Sequence, residues 1–307
     1  MTNHESITHG VFPAMITPFH DDGRIDHETL ATEAQRLAAA GVDGLVPVGS
    51  TGEAATLTHA EHTEVVETVI EAVDDSVPVI AGTGSNNTQE ALDLSAAAAD
   101  AGADGVLLIS PYYNKPEPAG MEAHFEAVAD AVDLPQIIYN VPSRTGRNIA
   151  LESVVSLANH ENIVGLKAAS GDINRISETV ERTRDEDFAV ISGDDGVTFP
   201  LLSLGGTGVI SVAANVAPEP IVEMVHAALD GDIDRARHRH HELGPLFRDL
   251  FIETNPIPVK EAVSMLGRCG PSLRPPLSRL SPQHRDHLET LLSDYTVLEA
   301  RPGDPPA

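Results

Sequence analysis

The chain has a single cysteine, Cys269, no tryptophan, and only three lysines (115, 167 and 260) among its 307 residues. One thiol excludes an internal disulfide framework and any zinc site built from several cysteines. No apolar run approaches the roughly 18 residues a membrane span requires. The amino terminus, MTNHESITHG, has no basic stretch followed by an apolar one, so no secretion signal is expected and the predicted location is cytoplasmic. A GxxxxGK phosphate loop, an HExxH pair and a carboxylate cluster at metal-ligand spacing are all missing, so no metal is expected. Positive charge is scarce: 19 Lys and Arg stand against 47 Asp and Glu, a net charge of −28. That balance excludes nucleic acid as a partner, because nucleic-acid binding needs basic surface to displace counterions. An acidic, lysine-poor surface suits solubility in concentrated salt, where self-repulsion is screened, and reads as a halophile signature. The charge describes the solvent more than the substrate.

What is present is a regular alternation. Apolar runs occur at 11–19, 44–49, 78–84, 105–110, 135–140, 163–169, 188–194 and 208–215. Between them lie segments such as THAEHTEVVETVIEAV and NTQEALDLSAAAADAG, whose apolar residues recur three and four apart, with Thr58 and Asn87 as helix caps. Eight apolar strands separated by helices predict an α/β fold, a (β/α)8 TIM barrel over residues 1–232. A doubly wound sheet is the rival, but GTGSNN lacks the last glycine of a dinucleotide-binding turn. After residue 232 only helical patterns continue, predicting a C-terminal helical region, 233–307, packed on the barrel. The last residues, RPGDPPA, are expected to fray.

Chemistry in such a barrel sits at the carboxyl ends of the strands. The polar residues that end these runs are Ser50 and Thr51, Tyr112 and Tyr113, Tyr139 and Asn140 with Arg144 just beyond, and Lys167. Lys167 shares its strand face with Gly165 and Ala169, which leaves room for a long side chain; Val164, Leu166 and Ala168 share the other face. An apolar pocket disfavours an ammonium, and a lysine so placed becomes a nucleophile for carbonyl groups. The bland alternative is a buried lysine paired with a carboxylate, but Ala168, Ala169 and Ser170 offer no such partner. Tyr139 taken alone reads as a core tyrosine; beside Lys167 it is a candidate acid and base, provided hydroxyls such as Ser50 and Tyr113 relay its proton. Arg144 suits a bidentate grip on a carboxylate, or is an ordinary loop arginine. His238, His240 and His241 lie in an alternating charged stretch and read as a solvated helix face.

From GVFPAMITPF at its start to NPIPVKEAV near its end, most of the chain is spanned by a series of motifs that also includes GSTGEAATL, VIAGTGSNNT, PYYNKP, IIYNVPSRTG, GLKAASG, ISGDD and GVISVAANV. With these motifs the sequence resembles the dihydrodipicolinate synthase branch of the pyruvate-dependent class I aldolases, which also include N-acetylneuraminate lyase and 2-keto-3-deoxygluconate aldolase. The resemblance implies a barrel with a helical C-terminal region, assembled as a homotetramer, a dimer of dimers. It implies that Lys167 forms a Schiff base with pyruvate, with no further cofactor. Tyr139 would move protons through Ser50 and through Tyr113 reaching in from a neighbouring subunit. Thr51 and the backbone of Ile210 would hold pyruvate, and Arg144 the carboxylate of L-aspartate 4-semialdehyde, in the diaminopimelate route to lysine. Ala55, His59, His62, Asn86, Glu90 and Tyr112 would line a pocket for feedback inhibition by L-lysine.

Two residues depart from the branch's pattern. Ser50 stands where threonine is usual, and GSTGE also occurs in sialate lyases; Ala168 stands where an acidic residue is common. A retro-aldol lyase for 2-keto-3-deoxy sugar acids is the second reading, and a non-catalytic small-molecule-binding barrel the third. Arg144 within SRTG favours the synthase over the lyases, and the intact set of lysine, tyrosine and hydroxyls weighs against a silent barrel.

Overall fold

Seven of the eight apolar runs form short strands: β1 (Gly10–Pro13), β2 (Ile80–Gly82), β3 (Gly105–Ile109), β4 (Gln136–Asn140), β5 (Ile163–Ala168), β6 (Ala189–Ser192) and β7 (Gly208–Ser211). The computed structural model describes residues 4–299; the RPGDPPA segment lies outside the described residues. All strand pairs are parallel, in the order β1-β7-β6-β5-β4-β3-β2. The run at 44–49 was expected to be a strand and is not one. It nevertheless joins the two sheet edges, through parallel bridges of Val46 to Ala14 and Leu45 to Val79. On one side Val46 N–H donates to Pro13 O and Met15 N–H to Val46 O, both at 2.9 Å. On the other, Leu45 N–H donates to Pro78 O at 2.9 Å and Ile80 N–H to Leu45 O at 2.8 Å. Pro47 then has no N–H to continue the ladder, and Val48 turns to a φ of +50°, which ends extended pairing. The ring is thus closed, as a TIM-type α/β barrel.

Strand alternation divides the apolar residues into two layers. Phe12, Val46, Ile80, Leu107, Ile137, Tyr139, Ile191 and Ile210 pack inside the barrel. Leu108, Ile138, Leu166, Ala168, Val190 and Val209 face the helices in a second, larger core. Val164 breaks the expected alternation by joining the inner layer. The register of β4 on β5 shifts there, from Gln136 opposite Ile163 to Ile137 opposite Gly165, so Val164 is the extra residue of a bulge. Ala168 lies in the outer layer at 5% exposure. An acidic side chain would be costly to bury there.

The helices start where the caps predict. Thr58 and Glu61 form a reciprocal capping box at the helix His59–Val73, and the Asn87 side chain accepts from Gln89 N–H at the helix Thr88–Asp100. Beyond β7 the chain continues as helices, including Ile233–Asp249, Ile257–Met265 and Pro282–Glu299. Leu243, Leu246, Val259, Val263 and Leu288 from these three helices join the outer core. His240 departs from the solvated face expected of it. It is half-buried against Phe199 and Phe247, with ring centroids 5.6 and 6.1 Å away, and burial lowers its pKa. Among the described residues no helix is long and apolar enough to cross a membrane.

Candidate active site

The parallel register places Tyr139 of β4 opposite Lys167 of β5, and Lys167 opposite Ile191 of β6. Both polar side chains project into the barrel near the carboxyl ends of their strands, and they are 8% and 6% exposed. Lys167 Nζ lies 4.4 Å from the centroid of the Tyr139 ring. Burial pulls the Lys167 amine down to about 7; the Asp195 charge opposes this and the Arg144 charge adds to it. Burial likewise pushes the Tyr139 phenol up to about 12, with Arg144 pulling it down and Asp194 pushing it up. An amine near 7 is part neutral in ordinary cytosolic pH, as nucleophilic attack requires. A phenol near 12 stays protonated and can donate.

Room for the lysine comes from a missing side chain. A Cβ on Gly193, at the end of β6, would lie 2.9 Å from Lys167 Cε and 3.0 Å from its Cγ. Just beyond, Asp195 is buried at 3% exposure. It accepts from Ser211 Oγ–H at 2.5 Å, Val212 N–H at 3.0 Å and Ala213 N–H at 2.9 Å, which ties the β6 loop to the turn after β7. Burial raises its pKa while these donors lower it. Sequence neighbours of Lys167 offered no carboxylate, but the next strand's loop does. The rule that exposed Tyr139 and Lys167, polar residues at strand ends, applies equally to ISGDD and would have found Asp195.

Arg144 sits in the one-turn helix Pro142–Thr145 that follows β4. Its Nη2 donates to the backbone oxygen of Asn255 at 2.8 Å, and the Asn255 side-chain Nδ2 donates to Thr51 Oγ1 at 3.0 Å. One residue of the C-terminal region therefore joins two predicted binding residues. Thr51 and Ile210 are buried, at 3% and 1% exposure, and Ser50 is half-buried one residue before Thr51. Tyr113 is not gathered with them in this chain: it is 89% exposed, at a φ of +67°.

The GSTGE loop is fastened from below. Glu53, at a left-handed φ of +56°, pairs with Lys260 Nζ, and both side chains are fully buried. The other Glu53 oxygen accepts from Arg274 N–H at 3.1 Å, and the Arg274 guanidinium grips Glu61 at 2.9 and 2.5 Å. Lys260 and Arg274 both lie over the Phe19 ring, at 4.2 and 4.6 Å. No local pattern marks the lysine in NPIPVKEAV as the partner of this loop.

The predicted regulatory residues lie around the end of β2. His62 is buried, with Nε2 2.8 Å from Gly82 O, and burial lowers its pKa. Glu90 accepts from Ser85 Oγ–H at 2.8 Å, and Asn114 Nδ2 donates to Asn86 O at 2.8 Å, which holds the loop bearing Tyr112 and Tyr113 to the one bearing Asn86. Ala55 and His59 are exposed, as is Tyr112 at 37%.

The model of the Dihydrodipicolinate synthetase family matches residues 7–295. The chain is 67% identical over 291 residues to a 4-hydroxy-tetrahydrodipicolinate synthase of Natronomonas pharaonis, covering 95% of this chain and 98% of that one. It resembles the crystal structure of dihydrodipicolinate synthase from Aquifex aeolicus, with a TM-score of 0.92 and 46% identity over 94% of this chain and 98% of the other. The chloride-inhibited dihydrodipicolinate synthase from Acinetobacter baumannii, complexed with pyruvate, gives a TM-score of 0.93 at 41% identity, over 94% and 99% of the two chains.

Proposed function

The chain belongs to the dihydrodipicolinate synthetase family, and from that premise we infer that it works as a 4-hydroxy-tetrahydrodipicolinate synthase, condensing pyruvate with L-aspartate 4-semialdehyde. The observation that carries the chemistry is the buried Lys167 amine, held near 7 beside a protonated phenol and an arginine. The neutral amine attacks the pyruvate ketone carbon. Tyr139 gives a proton to the departing hydroxyl, water leaves, and a protonated imine forms. The Tyr139 ring face favours this cation, as it would the ammonium. Loss of a methyl proton gives the enamine, which bonds to the aldehyde carbon of the second substrate. The semialdehyde's own amine then attacks the imine carbon and displaces Lys167, closing the ring and releasing 4-hydroxy-tetrahydrodipicolinate toward diaminopimelate and lysine. No cofactor beyond the lysine is invoked.

Around that centre, Thr51 and the Ile210 backbone hold pyruvate, and Arg144 takes the carboxylate of the semialdehyde. Ser50 relays the Tyr139 proton, and Tyr113, exposed in one chain, completes the relay from a neighbouring copy in a homotetramer. L-Lysine is the feedback ligand of the pocket around His59, His62 and Glu90. The acidic surface fits a cytoplasm of high salt.

Borohydride reduction in the presence of pyruvate, followed by peptide mass spectrometry, tests the reading together with a condensation assay at high salt. The expected result is one reduced adduct on Lys167 and consumption of both substrates. An adduct elsewhere, or none, overturns it.

A further inference from the structure

Asn255 carries three features in one residue. Its carbonyl oxygen anchors Arg144, and its side-chain Nδ2 donates to Thr51. Its Oδ1 is buried and has no hydrogen-bond partner among the described residues. A buried amide oxygen without a donor is costly, and such atoms are rare in folded chains. The cost is offset if a ligand supplies the donor.

The surroundings limit what that ligand group is. Arg144 is bonded to Asn255 itself, and its charge acts on both Tyr139 and Lys167, so Asn255 stands at the rim where the second substrate must bind. Oδ1 and the Thr51-bonded Nδ2 share one carbon, so the open acceptor lies within an amide's width of Thr51. Arg144 and Thr51 both present donors, which suit carboxylates. The one hydrogen-bond donor that the amino aldehyde offers is its α-amine. A neutral acceptor held beside a carboxylate-binding arginine matches the two ends of an α-amino acid.

The geometry points to Asn255 as a specificity-determining residue, whose Oδ1 accepts an N–H from the α-amine of the second substrate while its carbonyl fixes the arginine that binds the α-carboxylate. This inference rests on the condensation reading proposed above. It makes Asn255 select amino aldehydes over the same aldehyde lacking the amine, and it orients the nitrogen that later closes the ring.

The test compares L-aspartate 4-semialdehyde with 4-oxobutanoate, its des-amino analogue, which cannot cyclise and is read as an inhibitor. Both constants are measured in wild type, Asn255→Leu and Asn255→Asp. Any disturbance of Thr51 or of pyruvate binding affects both aldehydes alike and cancels in their ratio. In Asn255→Leu, the KM for the amino aldehyde should rise about 10- to 100-fold while the Ki of 4-oxobutanoate moves less than about threefold. Asn255→Asp keeps the acceptor and should hold the KM-to-Ki ratio within about threefold of wild type. The inference is overturned if the two constants rise together in Asn255→Leu, or if Asn255→Asp loses the discrimination; the aspartate variant decides alone should the leucine variant not fold. Failure of wild type to turn over the amino aldehyde would strike the condensation reading instead, and is seen before any variant is made.

Discussion

Lys167 Nζ stands 4.4 Å from the centroid of the Tyr139 ring, and the two residues oppose each other across the β4–β5 ladder. The contact sets two effects against each other. Burial disfavours the ammonium, while the ring face favours any cation held over it. Burial wins, since the amine is pulled down to about 7. The ring then favours the protonated imine, the cation from which the methyl proton is lost.

A pH dependence follows from that value. The neutral fraction of Lys167 grows as pH rises through about 7, so kcat/KM for pyruvate should climb with an acid limb near pH 7 and level off above it. Tyr139, near 12, should add no descending limb below about pH 10. Stability also rises with pH, between about 7 and the ordinary lysine value of 10.5. The folded pKa lies below that of the unfolded chain, so below about 7 the buried site must hold a charge it disfavours, and that penalty is relieved as pH rises. Lys167→Met should therefore abolish imine trapping and raise the melting temperature at pH 6, by about 2–4 °C per kcal/mol gained. A lysine variant that melts lower than wild type at pH 6 contradicts the pKa assignment.

Arg144→Gln separates substrate grip from imine chemistry. Its guanidinium helps lower the Lys167 pKa, after burial. Without it, the acid limb should move upward while pyruvate trapping on Lys167 survives above that limb. Condensation with the semialdehyde should fall about 100-fold or more, the cost of a lost charged, bidentate contact. Single-turnover trapping and steady-state assays on one preparation give both numbers.

Gly193 is where the smallest change should do most damage. An added methyl would sit 2.9 Å from Lys167 Cε and 3.0 Å from Ala169 Cβ. The lysine must then leave its rotamer or the β6 loop must shift. A displacement on the order of 1 Å at a reacting group costs about 100-fold in rate. Gly193→Ala should thus lose kcat/KM by roughly that factor while its melting temperature stays within a few degrees of wild type.

How much of this was legible beforehand depended on whether the cause is local. Lys167 and Tyr139 were found because strand ends and a two-residue period are visible in one stretch of chain. The Thr58 and Asn87 caps were found for the same reason. The bulge at Val164 was not, because a register shift belongs to a pair of strands and not to either one. The run at 44–49 was apolar enough for a strand, and only Pro47 hinted that its ladder would stop. Asn255 and Lys260 act more than 200 positions from Thr51 and Glu53, a relation no local pattern encodes.

Salt should matter more here than for an ordinary enzyme. With 47 acidic residues against 19 basic ones, pairing cannot neutralise the surface. At 0.1 M salt the screening length is about 10 Å, and at 1 M about 3 Å, so repulsion between neighbouring carboxylates is largely removed only in the second case. Thermal melts in KCl should rise by about 10 °C between 0.1 and 2 M, equivalent to roughly 3 kcal/mol or more. A flat melting curve would detach the charge excess from salt adaptation.

The Glu53–Lys260 pair tests whether the GSTGE loop is held from the C-terminal region. Both side chains are fully buried, and burial lowers the Lys260 pKa while the Glu53 charge raises it. Removing one partner leaves the other's charge without its counterion in the interior, which typically costs about 3–5 kcal/mol. Lys260→Met should do this, softened only by the Arg274 N–H that Glu53 retains. The double variant Lys260→Met/Glu53→Gln removes both charges and should recover much of the loss, because an apolar replacement of a buried pair is often close to neutral. Activity should not recover with it. Glu53 sits two residues after Thr51 at a φ of +56°, and its carboxylate is what holds that strained turn to Lys260 and Arg274. Restored folding with a KM for pyruvate still raised would show the pair positions the loop; restored folding with wild-type KM would reduce it to a stability element.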